Sequence, residues 1–194
     1  MKFGLRLPGA GPFAGPDEIT AFAKRAEELG FHSLWMTDHI ALPVDLQTRY
    51  PYREDGKFFW PPETPYLDLV GVLTWASAAT STIQVGSSVL IAGWHEPIAT
   101  AKAFATLDVL NKGRTIMGVG TGWMREQFEM LHYPFDTRGA RTTEFIALMK
   151  HLWSADTIDF QGEHYQYSGF KFYPKPARRP SIPIWSGGKS DAVL

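Results

Sequence analysis

Asp38 and His39 are adjacent, two residues beyond the mainly apolar run Ser33-Leu34-Trp35-Met36 and directly after Thr37. A carboxylate beside an imidazole can bind a polar group of a ligand and give or take a proton near neutral pH. The plainer alternative is an Asp that caps the next segment and a solvated His. Position favours chemistry, because the apolar run reads as a buried parallel strand that ends at Thr37. Proteins of the α/β class gather their reactive groups at the carboxyl ends of such strands.

Two further stretches can be judged by the same criterion. Gly118-Val119-Gly120-Thr121-Gly122-Trp123 lets a flat ligand approach the backbone, although a tight turn needing positive φ would use the same glycines. Gly187 and Gly188 follow an apolar segment, and Ser186, Lys189 and Ser190 add donors suited to a phosphate at a helix start. A short strand-to-helix loop is the alternative there. Gly9-Ala10-Gly11 and Ala14-Gly15, with Asp38 downstream, loosely imitate a dinucleotide fingerprint. Pro12 and Pro16 argue against it, since each removes an N–H where a pyrophosphate needs donors. His32, His95, His132, His151 and His164 form no metal spacing. Of these only His95 stands near a strand end, and it is not counted as a site residue.

The elements that must position these groups repeat a strand-helix unit. Lys2 to Leu7 alternates as a strand. A helix opens at Pro16, with Asp17 and Glu18 in its first turn, and closes at Gly30. The second strand follows at once, so strands one and two should be parallel and joined in the right-handed sense. Residues 43–65 hold Tyr50, Tyr52, Phe58, Phe59 and Trp60 with Pro51, Pro61, Pro62 and Pro65, show no period, and read as a long loop over the strand ends. Leu67 to Ala79 predicts a helix, Ile83 to Ile91 a strand, Pro97 to Leu110 a helix and Arg114 to Val119 a strand. Met124 to Leu131 predicts a short helical turn, and Arg141 to Trp153 a helix. Thr157 to Tyr167 alternates around Gln161-Gly162 as an inserted hairpin, giving a second insertion over 157–173. Ile182 to Trp185 predicts strand five, and a helix begins after it. One domain over 1–194 results. Its pattern suits either an open doubly wound sheet or a (β/α)₈ barrel lacking its last three units, since a whole barrel takes about 250 residues.

Composition narrows the function classes. The 194 residues are 44% hydrophobic and 20% charged, with a formal net charge of −1. That balance offers no electrostatic case for nucleic acid or for an anionic membrane surface. No cysteine is present, so disulfides, thiolate metal sites and cysteine nucleophiles are excluded. The start is too short and too charged for a signal peptide, and no apolar run approaches a membrane span. A cytoplasmic protein is expected. Aromatic residues make up 14%, which suits a large core or a pocket for a flat ligand.

With these residues in hand, the chain resembles the luciferase-like monooxygenase superfamily, and within it the coenzyme F420-dependent oxidoreductases. The resemblance is carried by Leu34-Trp35-Met36-Thr37-Asp38-His39, by Gln84-Val85-Gly86-Ser87-Ser88-Val89-Leu90, and by Ala101-Lys102 with Ala105-Thr106-Leu107-Asp108. It continues through Gly113-Arg114 into Gly118 to Trp123, then Phe135 to Arg141 and Pro183 to Gly188. It implies a TIM barrel, truncated after strand five, with a deazaflavin at the C-terminal face. It also implies hydride transfer between reduced F420 and a small organic substrate. Asp38 would hydrogen-bond the cofactor and His39 would donate or accept the proton. A non-prolyl cis peptide at Ser88-Val89 would back the ring, Thr121 and Gly122 would line it, and Gly187 and Gly188 would hold its phosphate. Some relatives carry a catalytic Glu after the Thr-Gly pair; here Trp123 stands there, with Glu126 as a speculative substitute. The same scaffold also uses FMN to activate oxygen, and a non-catalytic remnant or binding module is the third alternative. Open strand edges would favour a homodimer.

Overall fold

Strand residues point alternately to the two faces of a sheet, and here the two faces meet different surroundings. The computed structural model describes residues 1–187. Its strands are β1 (Gly4–Arg6), β2 (Ser33–Met36), β3 (Gln84–Ser87), β4 (Leu90–Ile91), β5 (Thr115–Gly120), β6 (Ile158–Gln161), β7 (Gln166–Phe170) and β8 (Ile184–Ser186). The main sheet is parallel throughout, with Gly4 opposite Ser33, Ser33 opposite Gln84 and Val85 opposite Thr115. Beyond Ser87, β4 takes over beside β5, pairing Leu90 with Val119, while β8 pairs Ile184 with Met117 on the other side of β5.

Neighbours in the sheet therefore follow chain order. A doubly wound sheet reverses direction at a switch point, and this one does not. The arrangement is an arc of a barrel, which decides between the two architectures that the repeat allowed. Strand three is broken where a continuous run over Ile83 to Ile91 was expected. The break is the Ser88-Val89 peptide, which is cis. The Ser88 N–H donates to Met36 O across the gap at 2.7 Å.

The helices are α1 (Pro16–Glu28), α2 (Leu69–Ala78), α3 (Pro97–Leu110), α4 (Arg125–Met130) and α5 (Arg138–Ser154). One face of the sheet supplies Leu7, Leu34, Met36, Val85, Met117 and Val119 to a core shared with Ile19, Ala23, Leu73, Phe104, Phe145 and Leu148 of the helices. Asp68 caps α2 through Gly71 N at 2.6 Å. Glu96 caps α3 through Ile98 N and Ala99 N, with Pro97 filling the first turn. Gly30 has φ 76° and ends α1 as expected. The Glu27 carboxylate of α1 accepts from the backbone of Ser81, Thr82 and Ile83, tying that helix to the turn before β3. Burial works to raise its pKa, but these bonds outweigh it and hold the group at about 2.

The concave face is built differently. Trp35 lies across it so closely that a Cβ at Gly4 would stand 2.3 Å from Nε1, and one at Gly86 2.7 Å from Cζ3. Trp185 packs beside it at 5.4 Å between ring centroids and stays 50% exposed. The hairpin β6–β7 is antiparallel and lies off the main sheet, as the alternation suggested, but its second strand runs on to Phe170. Helix α5 starts at Arg138, earlier than the expected Arg141, because the Arg138 guanidinium stacks 3.8 Å from the centre of the Phe135 ring and donates to Gly122 O. The expected last helix, with Gly188, Lys189 and Ser190, lies outside the described residues. Among those residues, no helix is long and apolar enough to cross a membrane.

Candidate active site

The strand ends open into a cavity of about 1140 Å³. Thr37, Asp38, His39, Ser88, Val89, Thr121 and Gly122 line it together. Gly187 is at its rim beside Ser186, with Gly139, Ala140 and Thr143 of α5. Thus every candidate site residue within the described region reaches one space, although the pieces come from four different strand ends.

Asp38 is buried, and its Oδ2 accepts three hydrogen bonds. The donors are Ile91 N at 2.9 Å and Trp94 Nε1 at 3.2 Å, with His95 Nε2 at 2.8 Å. That oxygen holds the segment which follows the cis peptide. His95 was passed over in the sequence because nothing local ties it to a residue 57 positions earlier.

His39 faces the cavity among aromatic rings, with centroids 5.3 Å from Phe58, 5.1 Å from Tyr66 and 6.5 Å from Trp94. Its Nδ1 lies 3.0 Å from Gln127 Oε1. Burial pushes the imidazole pKa below its usual 6.5, against weaker opposing effects from the Gln127 hydrogen bond and the Asp38 charge. The neutral form is thereby favoured, and it can accept a proton at Nε2 if Nδ1 carries the hydrogen. Arg6 adds a cation to the wall, donating to Thr37 Oγ1 at 3.3 Å, and the Thr37 and Tyr66 hydroxyls are hydrogen-bonded.

The glycines at the end of β5 and just beyond it fit the walls closely. A Cβ at Gly120 would meet Val89 Cγ2 at 2.5 Å, and Gly122 has φ 79°. Opposite them, the 43–65 loop closes the cavity with Tyr50, Phe58, Phe59 and Trp60. Trp123 joins this group, 5.0 Å from Tyr50 and 5.4 Å from Phe58 between centroids. Glu126 does not line the cavity. Its Oε1 accepts from Gln47 N at 2.9 Å and Thr48 N at 2.8 Å, so it ties the loop to α4. Burial acts to raise its pKa, yet these bonds prevail and hold it below the usual range. That is an anchoring carboxylate, and it speaks against the substitute role considered for it.

The family model described as luciferase-like monooxygenase matches residues 1–194. Among curated relatives, an F420-dependent glucose-6-phosphate dehydrogenase of Amycolatopsis mediterranei is 33% identical over 181 residues, covering 90% of this chain and 49% of that protein. The chain thus spans about half the length of that relative. Among solved structures, the coenzyme F420-dependent tetrahydromethanopterin reductase of Methanopyrus kandleri superposes with a TM-score of 0.75 at 21% identity, over 99% of this chain and 51% of that one. The oxygenating constituent of 3,6-diketocamphane monooxygenase of Pseudomonas putida, a complex with FMN, superposes at 0.64 with 16% identity, over 90% of this chain and 44% of that one. These likenesses carry the barrel fold.

Proposed function

We propose, because the chain belongs to the luciferase-like monooxygenase family, that it forms the cofactor-binding part of an oxidoreductase using coenzyme F420. The reaction is hydride transfer between the deazaflavin and an organic substrate, with His39 handling the proton. The observation that carries this reading is His39 itself: a half-buried imidazole, bonded at Nδ1 and facing the cavity, whose surroundings favour its neutral form. The sequence relative with an F420-dependent name supports the choice of cofactor.

The residues present fit such a group. The cavity exceeds the roughly 300–1,000 Å³ of an ordinary small-molecule pocket, which leaves room for a cofactor and a substrate together. Ser88 and Val89 would back the ring, Thr121 and Gly122 would flank it, and Gly187 with Gly188 would hold its phosphate. Bound there, the deazaflavin supplies a two-electron hydride donor or acceptor. The chain's part is orientation and the proton. When an alcohol is oxidised, its C–H leaves as hydride and its O–H proton passes to His39 Nε2; reduction of a carbonyl runs the same transfer backwards. Asp38 acts by fixing the segment Ile91 to His95, with Oδ1 left for a polar atom of the ligand. Tyr50, Phe58, Phe59 and Trp123 close over the site and suit a substrate with apolar or planar surface.

Positioned acid–base groups contribute about 10²–10⁴-fold. His39→Ala should bind F420 nearly as tightly, measured by quenching of its fluorescence, while turnover falls by about that range. Unchanged turnover would remove His39 from the mechanism. The likeness to an FMN monooxygenase favours a second reading, FMN with oxygen. Tight FMN binding without F420 binding in parallel titrations would establish it.

A further inference from the structure

We propose that Gln127 is a positioning residue: its side-chain amide fixes which ring nitrogen of His39 carries the hydrogen, and therefore which one is offered to the substrate. This rests on the reading of His39 given above. Gln127 is fully buried on α4, and its Oε1 lies 3.0 Å from His39 Nδ1. The other end of the amide, Nε2, is also buried and has no partner among the described residues. Leaving a buried donor unpaired is costly, so a Gln with a single bond, made to an imidazole, calls for a reason beyond packing.

A neutral imidazole carries one hydrogen, on either nitrogen, and the hydrogen bond to the other nitrogen decides which. With Oε1 as acceptor, Nδ1 holds the hydrogen and Nε2 keeps its lone pair, so the ring is set as a base. Turning the amide over would place its N–H groups against a bare Nδ1 and put the hydrogen on Nε2, leaving no lone pair there to take the substrate's proton. With Oε1 accepting from Nδ1 throughout, Nε2 takes the alcohol proton and the imidazolium so formed returns it to a carbonyl oxygen in the reverse direction, whereas a carboxylate in place of the amide would trap the imidazolium. The titratable and charged groups facing His39 are Asp38 on its own segment, Arg6 from β1 and Tyr66 from the loop before α2.

Nitrogen NMR of the chain labelled at its histidine rings tests this without cofactor. His39 should show the hydrogen on Nδ1 in the parent protein. In Gln127→Met the hydrogen should move substantially to Nε2. In Gln127→Glu the His39 pKa should rise by at least about one unit, a tenfold change in protonation. Circular dichroism confirms that each variant folds, and Gln127→Glu keeps the shape of the residue if Gln127→Met does not fold. With F420 bound, Gln127→Met should lose about tenfold or more in kcat with little change in cofactor affinity. A parent His39 hydrogenated at Nε2, or a tautomer and pKa indifferent to both substitutions, overturns the proposal. The NMR result stands apart from the His39→Ala turnover test, so failure of the proton-transfer reading and failure of the Gln127 assignment are told apart.

Discussion

A carboxylate oxygen that accepts three donors in a buried site is first of all a structural fastener. Asp38 Oδ2 gathers a backbone amide, an indole and an imidazole from one short segment, Ile91 to His95. Asp38→Asn keeps the shape but replaces a charged acceptor by a neutral one and can turn an NH₂ group toward those donors. Hydrogen bonds to a charged group are each worth about 1.5–3 kcal/mol, and an unsatisfied buried partner costs a similar amount. The variant should therefore lose about 1–3 kcal/mol in urea denaturation. A loss near zero would show that the segment holds itself. Asp38 and His39 were legible in the sequence because an apolar strand ends just before them. Gln127, His95 and Arg6 were not. Each meets the pair across a long stretch of chain, 88 residues for Gln127 and 57 for His95. A single Gln in a short helix carries no local sign of what it will face.

Elements inherit their positions from such contacts. The 43–65 loop has no helix or strand, yet its aromatic residues pack on one another and on Trp123. Glu126 fastens its entry through two backbone amides, from a helix only six residues long. Glu126→Ala should leave global unfolding nearly unchanged, because the main core between sheet and helices is untouched. Cleavage within 43–65 by a protease should quicken severalfold, since opening of a loop depends on its own few bonds. Equal cleavage rates would mean that the aromatic cluster alone holds the loop. The helix and strand positions could be read from period, proline and glycine, and Pro97 to Leu110 matches to the residue. The break in strand three could not be read from period, since no proline or turn dipeptide separates Val85 from Val89 and Gly-Ser-Ser fits a buried strand as well as a break. Only the family resemblance pointed to it.

At the scale of the whole molecule, the sheet has one packed side and one open side. The β-α repeat suggested two architectures, and strand pairing chooses between them, which no count of strands and helices could do. Convex-side residues such as Phe145 are wholly buried between sheet and helices. On the concave side, Trp185 leans on Trp35 and remains half exposed. Removing a buried Phe costs the transfer of its ring and the cavity left behind, about 3–5 kcal/mol. Removing Trp185 gives up mainly one aromatic pair, about 0.5–1.5 kcal/mol beyond a modest burial. Phe145→Ala should thus lower the urea midpoint far more than Trp185→Ala, although tryptophan is the larger side chain. Comparable losses at the two positions would mean that the concave face is covered in solution, and that the arc gains as much from whatever fills it as from its own helices.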